Sequence, residues 1–202
     1  MRENTQQGNK TWRVFCAVPL PLDLRERLMA HVNHVRDSVP DGRASWSRVD
    51  SIHLTLKFLG DLSPGKVEKL SEAASRSARE FAPFQIVVEQ TGAFPKQGQP
   101  RVLWIGINDF SGKLGDLHAR LEDESANEGF ARDDRPFHPH LTVARLRQPR
   151  YARTLVAAHK ELVFDATEIA VSELLVIRSE LGNEGSKYTV ISRHALNSAD
   201  EV

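Results

Sequence analysis

The chain carries the same short motif, His-Leu-Thr, twice. The first copy begins at His53 and the second at His140, 87 residues later. Each copy lies in an alternating apolar run, so a β-strand would place the histidine and the threonine two positions on, Thr55 or Thr142, on one face. An imidazole has an ordinary pKa near neutrality. Two imidazoles and two hydroxyls in one site therefore predict proton transfer on both sides of a phosphate.

The composition limits the kind of protein that this chain can be. Its 202 residues fit one domain or one compact two-lobed unit. The formal net charge at pH 7 is zero, which argues against a large nonspecific DNA-binding surface but leaves room for a local basic groove. The single cysteine, Cys16, excludes an intramolecular disulfide and favours a reducing cytoplasm.

The sequence shows neither a membrane-spanning segment nor a signal peptide. No apolar stretch approaches the roughly 20 residues needed to span a bilayer, and residues 1–10 lack the apolar region of a signal peptide. We therefore expect no association with a membrane, and we separately expect a monomer located in the cytoplasm. Residues 1–10 and 197–202 are expected to form flexible tails.

The periodicity of apolar residues divides the chain into two similar halves, roughly residues 11–92 and 101–193. Each half reads as β-α-β-α-β, with its His-x-Thr motif in the second strand. This mixed order indicates an α+β protein: a single bilobal catalytic domain over residues 11–196, with two sheets that face a central groove. The predicted strands are 12–18, 52–59, 84–89, 101–107, 139–146, 169–177 and 188–192. The predicted helices span 24–35, 66–81, 114–121 and 151–162.

Two longer segments extend the likeness between the motifs. His-Leu-Thr-Leu-Lys-Phe-Leu-Gly (53–60) and Pro-His-Leu-Thr-Val-Ala-Arg (139–145) resemble the paired signatures of the 2H phosphoesterase superfamily. Within that superfamily the chain is similar to the bacterial and archaeal RNA 2′,3′-cyclic phosphodiesterases, also called 2′-5′ RNA ligases. The resemblance covers about residues 11–196. Flanking segments that share it are 13–19, Trp46, Phe94-Pro95, 101–104 and 179–188.

The resemblance implies the bilobal 2H phosphoesterase fold and a reaction without a metal ion or cofactor. Such enzymes open a 2′,3′-cyclic phosphate at an RNA end, tRNA fragments among them, and leave a 2′-phosphate. The same site can join RNA ends through a 2′-5′ linkage. In the family's scheme His53 is the general acid for the leaving 3′ oxygen and His140 the general base for water. Thr55 and Thr142 donate hydrogen bonds to phosphate oxygens. The residues alone do not fix the order of the two histidines.

Arg145 matches an arginine that holds phosphate or RNA in the family, a task that suits a planar guanidinium. Strand parity nevertheless assigns Arg145 to the face opposite His140 and Thr142. For Arg145 to reach the same site, the strand must end or contain a bulge before residue 145, or the side chain must reach around the strand.

Four more residues are candidates for binding substrate. Lys57 shares the parity of Thr55, so it points into the groove or is a solvated lysine. Phe58 falls on the opposite parity, which favours packing in the core over stacking on a base. Trp46 and Tyr188 are candidates for lining the groove. Basic residues near the motifs add possible phosphate contacts: Arg43, Arg48 and Lys187.

The remaining histidines are expected to have no catalytic role. His138 and His140 form a His-x-His pair that can bind metal, but no cysteine or suitable acidic cluster completes a site, so we expect no metal. Five others are expected at the surface: His31, His34, His118, His159 and His194.

Three other functions remain open. One is a relative that acts on a small cyclic nucleotide, such as an ADP-ribose cyclic phosphate, or on 2′-5′ oligoadenylate; the length of the accepted substrate separates it from an RNA enzyme. Another is a catalytically silent module that binds RNA ends, although such a binder would be expected to lose one histidine or threonine. The last is a purely structural duplication, which gives no reason for His and Thr to recur together.

Overall fold

The computed structural model describes residues 11–182 and 185–197. The tail expected at 1–10, and all but the first residue of that expected at 197–202, lie outside the described residues. The described strands are β1 (Trp12–Val18), β2 (Ala44–Trp46), β3 (Leu54–Leu62), β4 (Phe84–Phe94), β5 (Val102–Asn108), β6 (His140–Leu146), β7 (Thr167–Val171), β8 (Glu173–Gly182) and β9 (Gly185–Ala195). The α-helices are α1 (Leu22–Ser38), α2 (Pro64–Ala78), α3 (Lys113–Asn127) and α4 (Pro149–Glu161).

The strands form two antiparallel sheets, which confirms the expected α+β class. The first sheet has the order β3-β1-β8-β9 and the second has the order β2-β6-β5-β4-β7. Helices α2 and α3 pack on the first sheet, and α1 and α4 pack on the second. We call these assemblies the first lobe and the second lobe. The two His-x-Thr motifs therefore belong to different lobes.

Each lobe draws elements from both halves of the chain. The first lobe combines β1, β3 and α2 with α3, β8 and β9, while the second lobe receives α1, β2 and β4 from the first half. The predicted strand 169–177 is in fact two strands, β7 and β8, which join different sheets. The two sequence halves, 11–92 and 101–193, thus do not coincide with the two lobes. Periodicity shows that a segment has an apolar face, but it does not show against which sheet that face packs.

The core lies between each sheet and its two helices. The residues predicted to share one face of α1, and those predicted to share one face of α3, are all buried. They are Leu24, Leu28, Val32 and Val35 in α1, and Leu114, Leu117 and Leu121 in α3. One continuous apolar cluster includes residues of both lobes, so the lobes are packed against each other.

Strand β3 contains a β-bulge directly after its His-x-Thr motif. Thr55 pairs with Ala17 of β1, whereas Lys57 pairs with the next residue back, Cys16. Leu56 is therefore an extra residue with no partner of its own. A bulge of this kind reverses the alternation of faces beyond it, so every parity argument made from Thr55 fails after Leu56.

Strand β6 has a bulge at the equivalent place. Thr142 pairs with Trp104 of β5, and Ala144 pairs with the adjacent Leu103, which leaves Val143 as the extra residue. The two motif strands thus share a sequence and an irregularity, each one residue after the threonine. This bulge in β6 is the one that Arg145 requires in order to join the face of Thr142.

Candidate active site

The first histidine lies on the face of the first sheet that is turned away from its helices. That face carries a small apolar cluster which includes Phe15 and Ala17. The ring of His53, directly before β3, stacks on the ring of Phe15 with 4.5 Å between centroids. Tyr188 of β9 meets the ring of His53 edge-on at 5.2 Å. Tyr188 therefore lies beside His53, and its role in binding substrate stays a prediction.

The second histidine opens strand β6, and β3 and β6 are in contact across the lobes. His140 is half-buried and meets the ring of Phe94 edge-on at 5.1 Å. Its neighbour in β5 is Gly106, which has no side chain to cover it. Phe15 and Phe94, which flank the two histidines, were not predicted as site residues, because contacts between strands leave no trace in the spacing of one strand.

Both imidazoles are held by a backbone group two residues upstream. The Nδ1 atom of His140 lies 2.7 Å from the carbonyl oxygen of His138, and His53 hydrogen-bonds to the backbone of Ser51. With Nδ1–H donating, the neutral ring of His140 keeps a lone pair on Nε2. This tautomer suits an imidazole that accepts a proton.

Burial lowers the pKa of both histidines. The pKa of His53 falls to about 4 because the ring is desolvated, against an opposing effect of its hydrogen bond to Ser51. The pKa of His140 is also lowered, first by burial, against an opposing effect of its hydrogen bond to the backbone of His138, and further by the charges of Arg145 and His138. Both rings are therefore neutral near pH 7 in the free protein, and an anion bound between them would raise both pKa values.

The bulge in β6 turns Arg145 onto the face that carries His140 and Thr142. Arg145 is exposed while Ala144 before it is buried. The guanidinium lies near enough to His140 for its charge to act on that imidazole. One of the conditions under which Arg145 could join the face of His140, a bulge in β6, is thus present.

The prediction that Lys57 binds substrate is wrong. Lys57 is only 4% exposed, and its Nζ donates hydrogen bonds to Oε2 of Glu122 at 2.6 Å and to the carbonyl oxygen of Ala131 at 2.9 Å. The bulge at Leu56 turns the side chain of Lys57 away from the face of Thr55 and into the core. The ammonium is therefore bound inside the protein and does not face the site.

The same bulge reverses the expectation for Phe58. This side chain is 49% exposed, and the guanidinium of Arg13 lies 4.8 Å from the centre of its ring. Phe58 pairs with Phe15 of β1, whose ring supports His53. Phe58 therefore lies on the site face, five residues after its histidine, where Arg145 stands after His140. The preference for core packing is wrong.

Other candidates lie further from the two histidines. Trp46 pairs with the buried Ala144 and packs against the main core, so it is not on the face of His140. Arg48 donates a hydrogen bond to the carbonyl oxygen of Ser186 at 2.7 Å, which links the segment before His53 to β9. Two residues proposed for phosphate contact are exposed: Arg43 and Lys187.

Two of the histidines expected at the surface are buried. His31 is 5% exposed and His159 is fully buried, and Nε2 of His31 lies 2.8 Å from Nδ1 of His159. His159 also hydrogen-bonds through Nε2 to the carbonyl oxygen of Trp104 at 2.9 Å. Each lies on the apolar stripe of its helix, a signal that the sequence offered. Of the others, one is exposed and two are half-buried: His34, His118 and His194.

The described ranges, 11–182 and 185–197, contain neither a membrane-spanning helix nor a metal-binding cluster of side chains. No helix there is long and apolar enough to cross a bilayer. No group of three or more His, Cys, Asp or Glu side chains in these ranges could hold a metal ion.

Two antiparallel sheets that each contribute a His-x-Thr strand to one site define the class of 2H phosphoesterases. The family model for the 2′-5′ RNA ligase superfamily matches residues 21–183. That match covers most of the chain, and the chain belongs to this superfamily.

Several relatives are similar to this chain over nearly their whole length. The RNA 2′,3′-cyclic phosphodiesterase of Methanothermobacter thermautotrophicus is 34% identical over 88% of this chain and 95% of its own. That of Escherichia coli is 30% identical over 91% of this chain and 96% of its own. Among solved structures, TT0787 of Thermus thermophilus superimposes with a TM-score of 0.77 at 28% identity, covering 93% of this chain and 99% of that one. Escherichia coli LigT with 3′-AMP gives 0.72 at 28% identity, with the same coverage.

Proposed function

We propose that this protein hydrolyses 2′,3′-cyclic phosphate ends of RNA to 2′-phosphate ends. The observation that carries the proposal is the meeting of two His-x-Thr strands from different lobes, each with its imidazole held by a backbone group two residues upstream. The named activity of relatives that are 30–34% identical over about nine-tenths of the chain supports the substrate class.

The chemistry needs two proton transfers and a hold on the phosphate. Nε2 of His140 accepts a proton from water as the water oxygen bonds to phosphorus. The bond between phosphorus and the 3′ oxygen breaks, and His53 donates a proton to that oxygen. Arg145, Thr55 and Thr142 hold the non-bridging oxygens, where negative charge grows. His53 must be protonated for this step, and the bound phosphate anion favours that form.

The reaction uses the protein's own side chains and needs no metal ion or cofactor. When the 5′-hydroxyl of a second RNA replaces water, the same proton transfers produce a 2′-5′ linkage. We further propose that the catalytic unit spans residues 11–196, acts as a monomer in the cytoplasm, and meets cyclic phosphate ends such as those of tRNA fragments.

A second candidate is a phosphodiesterase for small nucleotides. Structures of LigT with 3′-AMP, with NADP+ and with ATP favour it, because that similar protein binds small nucleotides. The two candidates differ in substrate length. A mononucleoside 2′,3′-cyclic phosphate that is turned over as efficiently as a short RNA with the same end would favour the second.

The deciding experiment is the hydrolysis of a short RNA that ends in a 2′,3′-cyclic phosphate, with excess EDTA present. Wild-type protein is compared with His53→Ala, His140→Ala and the double variant, and His34→Ala serves as the control because His34 is an exposed histidine away from the site. We expect wild type and control to release a 2′-phosphate end. Each single variant should lose about 10²–10⁴-fold in rate, and the double variant much less than the product of both losses.

Other results would redirect the assignment. Binding of the RNA without turnover by wild type would identify a module that binds RNA ends. Turnover that disappears in EDTA would contradict the metal-independent mechanism. Losses that multiply in the double variant would show that the two histidines do not act on one transition state.

A further inference from the structure

A cavity of about 230 Å³ opens beside His140 in the second lobe. It lies over β4, β5 and the start of β6, so it continues the site face away from the first lobe. The hydrolysis of the phosphate, as described above, does not use this cavity. Its walls fall into an aromatic side and a polar side.

The aromatic side joins the cavity to the imidazole of His140. The indole of Trp104 rests on Gly92, where even a Cβ atom would lie 2.1 Å from the ring. Phe94 follows, with its ring centre 5.2 Å from that of Trp104 and 5.1 Å from that of His140. The rings of Trp104 and Phe94 are tilted by 35° to each other, and Phe94 meets the imidazole of His140 edge-on, so an aromatic wall leads from the cavity to His140.

The polar side includes a paired amide and carboxylate, with Gln90, Lys96 and His138 also lining the cavity. Nδ2 of Asn108 donates a hydrogen bond to Oε1 of Glu89 at 3.0 Å. Gly106 lies between this pair and the aromatic side; a Cβ there would come within 2.8 Å of the carbonyl oxygen of Glu89 and 3.3 Å of the Trp104 ring. The absence of a side chain at Gly106 keeps the floor open. Amide and carboxylate groups are those that hydrogen-bond to the edges of bases.

We propose that this cavity is a nucleobase subsite for the RNA whose cyclic phosphate lies at the two histidines. A base stacks on Phe94 and Trp104 and presents its edge to Asn108 and Glu89, the arrangement by which proteins read unstacked RNA bases. The volume is below the roughly 300–1,000 Å³ of pockets for drug-sized ligands, so it holds a single base. The inference rests on the proposed function and adds the recognition of one base to it.

The test uses three RNAs of equal length, each ending in a 2′,3′-cyclic phosphate. One is intact, one lacks the base of the terminal nucleotide, and one lacks the base of the penultimate nucleotide. For wild-type protein we expect the KM of one abasic RNA to be about 5- to 100-fold higher than that of intact RNA, the range supplied by stacking of one base on aromatic side chains. We expect kcat to change little, because the base is remote from the reacting bonds.

Two variants connect that effect to the cavity. Phe94→Leu keeps an apolar side chain but removes the ring, and should raise the KM of intact RNA towards that of the affected abasic RNA. Asn108→Ala keeps the rings and should weaken any preference among the four bases. Gln85→Ala is the matched control, because Gln85 is exposed on the same strand as Phe94 and does not line the cavity. It should behave like wild type.

The outcomes separate the subsite from the activity. An effect at the terminal or at the penultimate base that disappears in Phe94→Leu supports the subsite and identifies which nucleotide occupies it. Normal turnover with equal KM for all three RNAs overturns the subsite and leaves the phosphodiesterase standing. No turnover of intact RNA overturns the proposed function, and the subsite with it.

Discussion

Strands β3 and β6 carry the same His-x-Thr motif and the same bulge after it, but the residues that the bulge redirects are different. In β3 the inward residue is Lys57 and the outward one is Phe58. In β6 the inward residue is Ala144 and the outward one is Arg145. The backbone repeats, whereas the chemistry at two equivalent positions does not.

Under the proposed function, the outward pair divides the contacts with substrate between the two lobes. Arg145 would hold the phosphate, and Phe58, whose ring is half-exposed, would contact the substrate from the first lobe. The inward pair differs as much. Ala144 simply fills the core, while Lys57 pairs with Glu122, whose Oε2 also accepts the backbone N–H of Asp133 at 3.2 Å. That buried pair fastens β3 to the loop that leads to β6.

The largest effect is expected at the inward position of β3. Lys57→Met should lower the free energy of unfolding by about 3–5 kcal/mol, because it leaves the buried carboxylate of Glu122 without its cation. Urea unfolding measures this change, and Lys66→Met, at an exposed lysine of α2, should stay within about 0.5 kcal/mol of wild type. Adding Glu122→Leu to Lys57→Met should recover much of the loss. Equal stability of both lysine variants would contradict a stabilising role of the pair.

The next effect concerns the outward position of β6. Arg145→Ala should reduce kcat/KM by about 10- to 150-fold, since hydrogen bonds to a charged group contribute about 1.5–3 kcal/mol. Arg145→Lys should recover only part, because an ammonium does not form the bidentate contact. Initial rates on a cyclic phosphate RNA measure both variants. Arg147→Ala, at an exposed arginine just beyond β6, is the control; an equal loss there would assign the effect to general charge.

The two histidines should make activity fall as the pH rises. Burial lowers the pKa of both His53 and His140, so near pH 7 the free protein holds both rings neutral, whereas the reaction needs one of them protonated. The productive form therefore becomes more abundant as the pH falls towards these pKa values. We expect kcat/KM, which reports the free enzyme, to drop about tenfold per pH unit above pH 7. A flat or rising profile between pH 6 and 8 would contradict this assignment.

The smallest effect is expected at the outward position of β3. Phe58→Ala should raise the KM for RNA by about two- to five-fold with little change in kcat, because a half-exposed ring gives the low end of base stacking. Phe110→Ala is the matched control, since Phe110 is 81% exposed before α3 and lies outside the site. A loss in kcat as large as that of Arg145→Ala would mean that the two outward residues do the same work.

Strands β3 and β6 also show which side-chain positions can be predicted from the sequence. Alternation within each motif predicted that His and Thr share a face, and the match of Arg145 to the family's arginine made a bulge one of three expected possibilities for β6; the structure has that bulge. Nothing in the sequence demanded one in β3, because both Lys57 and Phe58 have an acceptable place on either face. Parity therefore assigned each of them to the wrong side.

The sequence did not predict which distant elements pair with each other. The strand predicted at 169–177 divides at Ser172 into pieces that join different sheets, although both pieces are apolar. Local periodicity reports burial and not the partner. The buried pair of His31 and His159 has the same explanation. Each histidine lies on the apolar face of its helix, which the sequence shows, but the hydrogen bond between the two imidazoles depends on the packing of α1 against α4, which the sequence does not show.

The way the lobes share the chain has a mechanical consequence. The backbone passes from one lobe to the other after β1, β2, α2, β5, α3 and β7. A chain divided in the middle would leave neither fragment with a complete sheet, and the many distant pairings predict slow folding. Six covalent crossings tie the lobes together, so the folding of either sheet also helps to bring the two His-x-Thr strands into contact.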